Sequence, residues 1–229
     1  MRPFEADPQR GQEGRDVMRI AQVSPFWEEV TVESEGAEGQ TVAQLARSLV
    51  RVGHDVTVFA SADSCVTGTL VGVAPRALRH YAAPKRHLAE GLTLLALEKA
   101  LSSPVPFDVI HVHAGFTAFP LMRRSTVPVV ATVYGALDMP EVAALYREFK
   151  ELPLVATSSE QLRLCPDLNW QALIPLDSSQ DGGTTHPEPS IETAVAYTAV
   201  YEKVFAVAAS FRRPSVPRHV PSRFAETHA

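Results

Sequence analysis

Short runs of valine, isoleucine and alanine alternate with helical patterns along most of this chain, and this alternation restricts the fold more than any other feature. The apolar runs are continuous, as in strands that are buried on both faces of a sheet. Between the runs, apolar residues recur every three or four positions, which is typical of amphipathic helices. Strands that alternate with helices predict an α/β protein with a single doubly wound parallel sheet.

The pattern predicts strands over residues 19–25, 55–61, 108–113, 127–133 and 153–158. It predicts helices over residues 41–55, 88–101, 139–149 and 190–209. Gly53 supplies the C-terminal stop of the first helix, and Ser190 is the expected N-cap of the last. One face of the last helix is expected to pack back on the sheet, and it carries Ala194, Tyr197, Tyr201, Val204, Phe205 and Ala208.

Composition divides the chain around this core. Residues 1–17 mix both charges with proline and glycine, and residues 210–229 are proline-rich and locally basic, so both segments are expected to be disordered. Residues 18–175 form the predicted Rossmann-like domain. Residues 176–189 have the glycines, prolines and small polar residues of a linker, and residues 190–209 return as a helix of the same domain.

Charge and cysteine content argue against several classes of function. The formal net charge of −5 has the wrong sign for a protein that binds nucleic acid through a basic face. The two cysteines, Cys65 and Cys165, form no CxxC pair, which favours free thiols over a disulfide or zinc framework. No stretch approaches the ~18 apolar residues of a membrane span, and the N-terminus lacks the apolar core of a secretory signal. We therefore expect a cytoplasmic protein without a nucleic-acid partner.

The carboxyl ends of the predicted strands are the expected ligand site, because ligands bind beyond these ends in parallel sheets. No GxGxxG motif follows the first strand and no GxxxxGK[ST] motif occurs, so the sequence favours neither a simple dinucleotide site nor a P-loop. The first loop is instead long and acidic, and it ends in Gly36 and Gly39 before a helix N-terminus. Backbone amides there could receive an anionic group.

His111 and His113 end the central predicted strand in the stretch HVHAGF. Residues two apart on a strand share a face, so the pair could bind zinc. No Cys, Asp or Glu is tied to them by a motif, however, and we expect no metal site. We interpret His111 as an interior histidine that bonds to backbone or water.

Six stretches carry a resemblance to a known family: MRIAQVSPFWE, LARSLVRVGHDVTVFASADS, FDVIHVH, TVYGALDMPE, LYREF and PLVATSSEQ...PDLNW. In this order and spacing they resemble the N-terminal, acceptor-side domain of family 4 retaining glycosyltransferases of the GT-B fold, over residues 18 to about 174. The resemblance implies one Rossmann-like half of a two-domain enzyme. It implies a nucleotide-sugar as co-substrate in the cleft between the halves, and no separate cofactor.

The resemblance also implies site residues. His113 matches the family's histidine near the donor sugar and is the candidate catalytic residue, through a hydrogen bond to a sugar hydroxyl. Tyr134 stands where the family has the histidine of a T-x-H-G element. A tyrosine with an ordinary pKa of ~10 can bond a sugar but cannot act as a base near neutral pH, and its other expected role is packing at the end of the strand.

The expected substrate-binding residues are Gly36, Gly39, Tyr134, Gly135, Asp138 and Glu141. Asp138 and Glu141 lie beyond a strand end and can contact an acceptor hydroxyl. A competing role for Asp138 is to cap the following helix, since it precedes Pro140 at a natural helix start. Ser158 and Ser159 lie in no GxSxG elbow and are interpreted as caps at a strand end.

Departures from the family pattern bear on activity. Glu38 lies between Gly36 and Gly39, where members tend to have adjacent glycines, and its carboxylate would repel a diphosphate. After Trp170 the glycine-containing hinge into a second domain is missing. The basic pair and the Glu-x7-Glu element of the family's second domain have no counterpart in a matching position. The chain therefore resembles an enzyme whose donor domain is replaced by a linker.

Two functions from different classes remain open. One is glycosyl transfer, in which this chain is the acceptor half and a separate donor-domain subunit completes the site. The other is a non-catalytic module that binds a sugar-like molecule, a protein or a second copy of itself through the exposed strand ends. The isolated chain is expected to be inactive, because each missing contact to the leaving phosphate is worth ~3 to 4 kcal/mol.

Overall fold

The computed structural model describes residues 17–81, 86–176 and 191–211. Within these ranges seven strands form one sheet: β1 Arg19–Val23, β2 Asp55–Ser61, β3 Thr69–Ala74, β4 Val109–Val112, β5 Val129–Val133, β6 Leu154–Ala156 and β7 Trp170–Leu173. They are joined by six α-helices: α1 Ala37–Arg51, α2 Arg86–Leu101, α3 Phe119–Arg123, α4 Pro140–Glu148, α5 Ser159–Leu164 and α6 Ile191–Phe211. The Ser190 cap and the predictions for residues 1–16, 177–190 and 212–229 lie outside the described residues.

The sheet is parallel throughout, with the strand order β3-β2-β1-β4-β5-β6-β7. The chain moves from β1 to one edge, returns to place β4 beside β1, and then proceeds to the other edge. This reversal confirms the predicted doubly wound, Rossmann-like fold. The point of reversal, between β1 and β4, is where such sheets bind ligands.

Helices cover both faces of the sheet. The helices α2, α3 and α4 pack on one face, and α1 and α6 pack together on the other. Val42, Leu45 and Leu49 lie on the buried side of α1. Gly53 follows the helix with φ +101°, in the left-handed region that ends a helix at low cost only for glycine.

The returning helix α6 packs on the sheet as predicted. Its buried face includes Ala194, Tyr197, Tyr201 and Val204. Phe205 was expected on this face and is instead 39% exposed. The reason is geometric, because neighbouring helix positions lie about 100° apart and Val204 already occupies the inward direction.

Two strands and two helices were not predicted. The strands β3 and β7 lie at the edges of the sheet and are largely half-exposed, so they lack a continuous apolar run. The helices α3 and α5 have 5 and 6 residues, which is too short to show a period of 3.6. In the part of the chain that the structure describes, no helix is long and apolar enough to cross a membrane.

Candidate functional site

A cavity of about 400 Å³ opens at the carboxyl ends of β1, β4 and β5, at the point where the strand order reverses. Its wall includes the aromatic side chains of Phe26, Trp27, Phe116, Tyr134 and Tyr146. Its polar lining includes Glu38 of α1, Glu90 of α2 and His113. The fold thus brings Glu38, His113, Tyr134 and Gly135 to one cavity, although they are far apart in sequence.

His113 is fully buried, and both of its ring nitrogens bond to protein groups. Nδ1 lies 2.5 Å from the hydroxyl of Tyr134, and Nε2 contacts Oε1 of Gln22. Burial lowers the pKa of His113 to about 3, so the ring is neutral. The Gln22 oxygen can only accept, so Nε2 carries the proton and donates it.

The hydroxyl of Tyr134 must therefore donate to Nδ1 of His113, which is the only role left for that nitrogen. Burial raises the pKa of Tyr134 well above its ordinary value, so the hydroxyl keeps the proton that it donates. With this proton committed, the oxygen of Tyr134 has only lone pairs to offer a ligand. The cavity accordingly presents an acceptor at this position.

The hydrogen bonds continue from Gln22 through the sheet to α6. Nε2 of Gln22 donates to the hydroxyl of Tyr201 at 3.2 Å, and this hydroxyl lies 2.8 Å from Nδ1 of His111. Nε2 of His111 lies 2.8 Å from Oγ1 of Thr132, which lies 3.0 Å from the hydroxyl of Tyr197. We call these residues, with Tyr134 and His113, the polar network. With Gln22 so oriented, each residue donates to the next in the order Tyr134, His113, Gln22, Tyr201, His111 and Thr132.

The structure refines the two histidine predictions. His111 is an interior histidine, as predicted, but its partners are the side chains of Tyr201 and Thr132 and not backbone or water. A hydrogen bond from His113 to a sugar would require the loss of one of its two protein partners. Among the described residues, no three or more His, Cys, Asp or Glu side chains are grouped in a way that could hold a metal ion.

We expect both histidines of the polar network to be the neutral Nε2–H tautomer at pH 7. The reason is the orientation of the Gln22 amide. Its oxygen accepts from Nε2 of His113, and its nitrogen donates to the hydroxyl of Tyr201. The Tyr201 hydroxyl must then donate to Nδ1 of His111, which leaves the proton of that ring on Nε2. A long-range ¹H–¹⁵N correlation spectrum of the imidazole rings measures the tautomer directly. Nδ1–H signals for either ring would contradict the assignment, since the amide of Gln22 would then be turned around.

The N-terminus of α1 carries carboxylates of the protein itself. Gly36 is the N-cap, and Glu38 lies in the first turn. A methyl group on Gly36 would fall 1.4 Å from Oε2 of Glu28, so the Glu28 carboxylate lies directly against the helix end. The helix dipole favours a negative charge there. A protein carboxylate therefore occupies the place where the sequence predicted an anionic ligand group.

Gly39 has a packing role at the same helix end. It is buried in the first turn of α1, and a methyl group on it would fall 2.5 Å from the carbonyl oxygen of Glu29. Only a residue without a side chain lets the first loop approach α1 so closely. Neither Gly36 nor Gly39 lines the cavity as the structure describes it.

Asp138 and Glu141 are exposed and lie on the segment between Ala136 and Val142, which both line the cavity. The capping role considered for Asp138 is wrong, because the N-cap of α4 is Met139 and no side chain bonds to this helix end. Pro140 takes the first helical position, so the N-cap is the residue directly before it.

Ser158 is a helix cap and not a cap at a strand end. Its Oγ accepts from the backbone N–H of Gln161 at 3.4 Å, and Oε1 of Gln161 accepts from the backbone N–H of Ser158 at 3.2 Å. These two bonds form a capping box at the start of α5, whose first residue is Ser159. The S-x-x-Q pattern at 158–161 was the sequence signal for this helix.

The family model of glycosyltransferase family 4 matches residues 39–163, which is more than half of the 229-residue chain. The chain belongs to glycosyltransferase family 4. Among solved structures, a sucrose-phosphate synthase from Thermosynechococcus elongatus is similar to this family 4 chain, with 15% identity and a TM-score of 0.51. The match covers 82% of this chain and 99% of that chain, and at this identity it shows the fold alone. A search of curated proteins finds no match.

Part of the polar network lies outside the segment that matches the family 4 model. His111, His113 and Tyr134 fall within residues 39–163, whereas Gln22 and Tyr201 do not. Sequence reasoning did not identify Gln22, Glu28 or Glu90 as part of the site. The available signal for Gln22 was one polar residue within the apolar strand RIAQV, and for Glu28 the acidic pair that follows Trp27.

Proposed function

We propose that this family 4 domain is the acceptor-side half of a nucleotide-sugar-dependent glycosyltransferase. In this proposal it binds a sugar-like small molecule in the cavity at the ends of β1, β4 and β5. The observation that carries the proposal is the position of the cavity, at the reversal of the strand order, with the Tyr134–His113 pair facing aromatic walls. A volume of about 400 Å³ lies in the range of ordinary small-molecule sites.

The lining suits a sugar ring. Aromatic rings such as Trp27 and Phe116 offer apolar surface to the C–H faces of the ring, while Tyr134 and Glu90 accept hydrogen bonds from its hydroxyls. Among the candidate residues, we propose Tyr134 as the direct contact and His113 as the group that orients it. Gly135, Asp138 and Glu141 are proposed as further contacts on the segment that leads from β5 to α4.

We propose that the isolated chain does not transfer sugar. The described residues that line the cavity include no Lys or Arg, and the only histidine among them is neutral. The described lining therefore offers no positive charge that would stabilise a departing diphosphate. Glu28 lies against Gly36 at the helix end, which further disfavours a phosphate.

A donor domain would have to come from elsewhere in the assembly. Only the 17 residues 174–190 connect β7 with α6, although the family resemblance places the nucleotide-sugar domain before the returning helix. We propose that a separate donor-domain subunit, or a second copy bound at the exposed strand ends, completes the site.

Calorimetry and an activity assay test the proposal. The purified chain is titrated with a panel of monosaccharides and disaccharides, and it is assayed with nucleotide-sugars alone and with a candidate donor subunit. The proposal expects a saccharide to bind the chain alone and turnover to appear only in the mixture. Turnover by the chain alone would refute the proposal that the isolated chain is inactive. Saccharide binding without turnover in any mixture would favour a non-catalytic binding module.

Two phenylalanines provide a matched pair for this test. Phe116 and Phe205 are 38% and 39% exposed, but only Phe116 lines the cavity. We expect Phe116→Ala to weaken saccharide binding about tenfold, which corresponds to the ~1.4 kcal/mol of a partly buried apolar contact. Phe205→Ala on α6 should leave the dissociation constant unchanged. Equal affinities of the two variants would show that the saccharide binds outside the cavity.

A further inference from the structure

Three side chains of the cavity, those of Tyr134, Glu38 and Glu90, can offer a ligand hydrogen-bond acceptors. The proton of Tyr134 is committed to His113, so its oxygen can only accept from a ligand. Glu38 and Glu90 are acceptors when ionised. Lys and Arg, which only donate, are missing from the described lining. The best-matched ligand is therefore rich in donors.

The α1 end of the cavity also has an excess of negative charge. Oε2 of Glu28 is buried and has no hydrogen-bond partner among the described residues. Burial, and then the charge of Glu28, raise the pKa of the neighbouring Glu38. Both carboxylates would gain from a positive group placed between them and the cavity.

The basic side chains on the neighbouring segment 79–80 are engaged mainly with other carboxylates, although Arg79 also attracts the charge of Glu28. Arg79 forms an ion pair with Glu35, and the Nε2 atom of His80 lies 3.0 Å from Oε2 of Glu29. The helix dipole of α1 offers only about half a positive charge to two carboxylates. Within the residues that the structure describes, the negative charge at this end of the cavity is therefore only partly balanced.

From this charge balance and the acceptor lining, we propose that the cavity selects a hydroxylated ligand that carries a protonated amine, an amino sugar in chemical class. The ammonium group would face Glu38 with Glu28 behind it, and a ligand hydroxyl would donate to the oxygen of Tyr134. An ammonium has three donors and no acceptor, and it is attracted to aromatic faces such as that of Trp27. A phosphorylated sugar would meet the carboxylates and is disfavoured. This inference rests on the proposed function, namely that the cavity binds a sugar-like molecule.

The test compares four ligands of similar size: glucosamine, N-acetylglucosamine, glucose and glucose 6-phosphate. Binding is followed by NMR chemical-shift changes of the whole chain, at a pH where the amine is protonated. We expect glucosamine to bind at least tenfold more tightly than glucose or N-acetylglucosamine, and glucose 6-phosphate to bind most weakly. Equal affinities for glucosamine and glucose would overturn the inference but leave the proposed function standing. If none of these sugars nor any saccharide of the wider panel binds, both fail.

A charge-removing variant tests the position of the amine. Glu38→Gln keeps the shape of the side chain, and we expect it to reduce the preference for glucosamine over glucose to threefold or less. Glu33→Gln is the matched control, since Glu33 is exposed on the loop that precedes α1 and does not line the cavity. It should keep the full preference. A preference unchanged in Glu38→Gln would overturn the proposed contact.

Discussion

Lowering the pH from 6.5 to 5 is expected to reduce the free energy of unfolding by about 1.6 kcal/mol through His113 alone, and His111 adds a further loss in the same direction. Burial lowers the pKa of His113 to about 3 and lowers that of His111 well below its ordinary value, with the neighbouring His113 adding to the latter effect. In the unfolded chain both rings take up a proton near pH 6.5. The stability that the neutral rings provide is therefore complete above pH 6.5 and is lost as the pH falls.

Urea unfolding at a series of pH values from 7.5 to 5 measures this loss of stability. This pH range lies above the range where most carboxylates titrate. His113→Gln is the informative variant, because glutamine can both donate and accept but takes up no proton. Even if this variant is less stable at pH 7, its free energy of unfolding should fall less steeply than that of the wild type as the pH is lowered. A wild-type stability that stays constant between pH 6.5 and 5 would show that the rings are not buried as neutral groups.

Removing one hydroxyl from α6 is expected to cost about 3 kcal/mol. The hydroxyl of Tyr201 bonds both Gln22 and His111 within the core, so Tyr201→Phe leaves a buried donor and a buried acceptor without partners. Each unpaired buried group costs about 1 to 3 kcal/mol. Thermal or urea unfolding at pH 7 measures the effect.

Tyr197→Phe is the matched control on the same helix. Both tyrosines are 1% exposed or less, but the hydroxyl of Tyr197 bonds only Thr132 among the described residues. We expect this variant to lose about 1 kcal/mol. Equal losses in the two variants would mean that the polar network does not stabilise the fold through Tyr201. The tautomer of His111 provides a second measurement, which should change in Tyr201→Phe only.

The central strands were predictable because both faces of a central strand are buried. The run DVTVFAS was predicted over 55–61, and β2 has these bounds in the structure. The edge strands β3 and β7 were not predicted. Each has a neighbouring strand on one side only and is largely half-exposed, so its sequence mixes polar and apolar residues. The cavity could be placed at the strand ends from topology alone, but its walls could not. Trp27 reaches it from the loop after β1, where the family resemblance assigned it no role, and Glu90 reaches it from α2.

The polar network could not be predicted from the sequence. Gln22 and Tyr201 are separated by 179 positions, and a single polar residue in an apolar strand is compatible with many partners. What the sequence did show was a pair of tyrosines four apart on the buried face of the last helix. Buried tyrosine hydroxyls require partners, and the histidines of a central strand were the polar groups available.

The same 179-residue separation has a consequence for biosynthesis. The first strand to leave the ribosome contains Gln22, and its partner Tyr201 follows only after every other strand of the described sheet has been made. Loop closure over such a distance costs entropy before any contact offsets it. It follows that α6 docks last, and that the sheet face which it shares with α1 stays partly uncovered in the nascent domain until then. Such a face is the kind of surface that chaperones protect during translation.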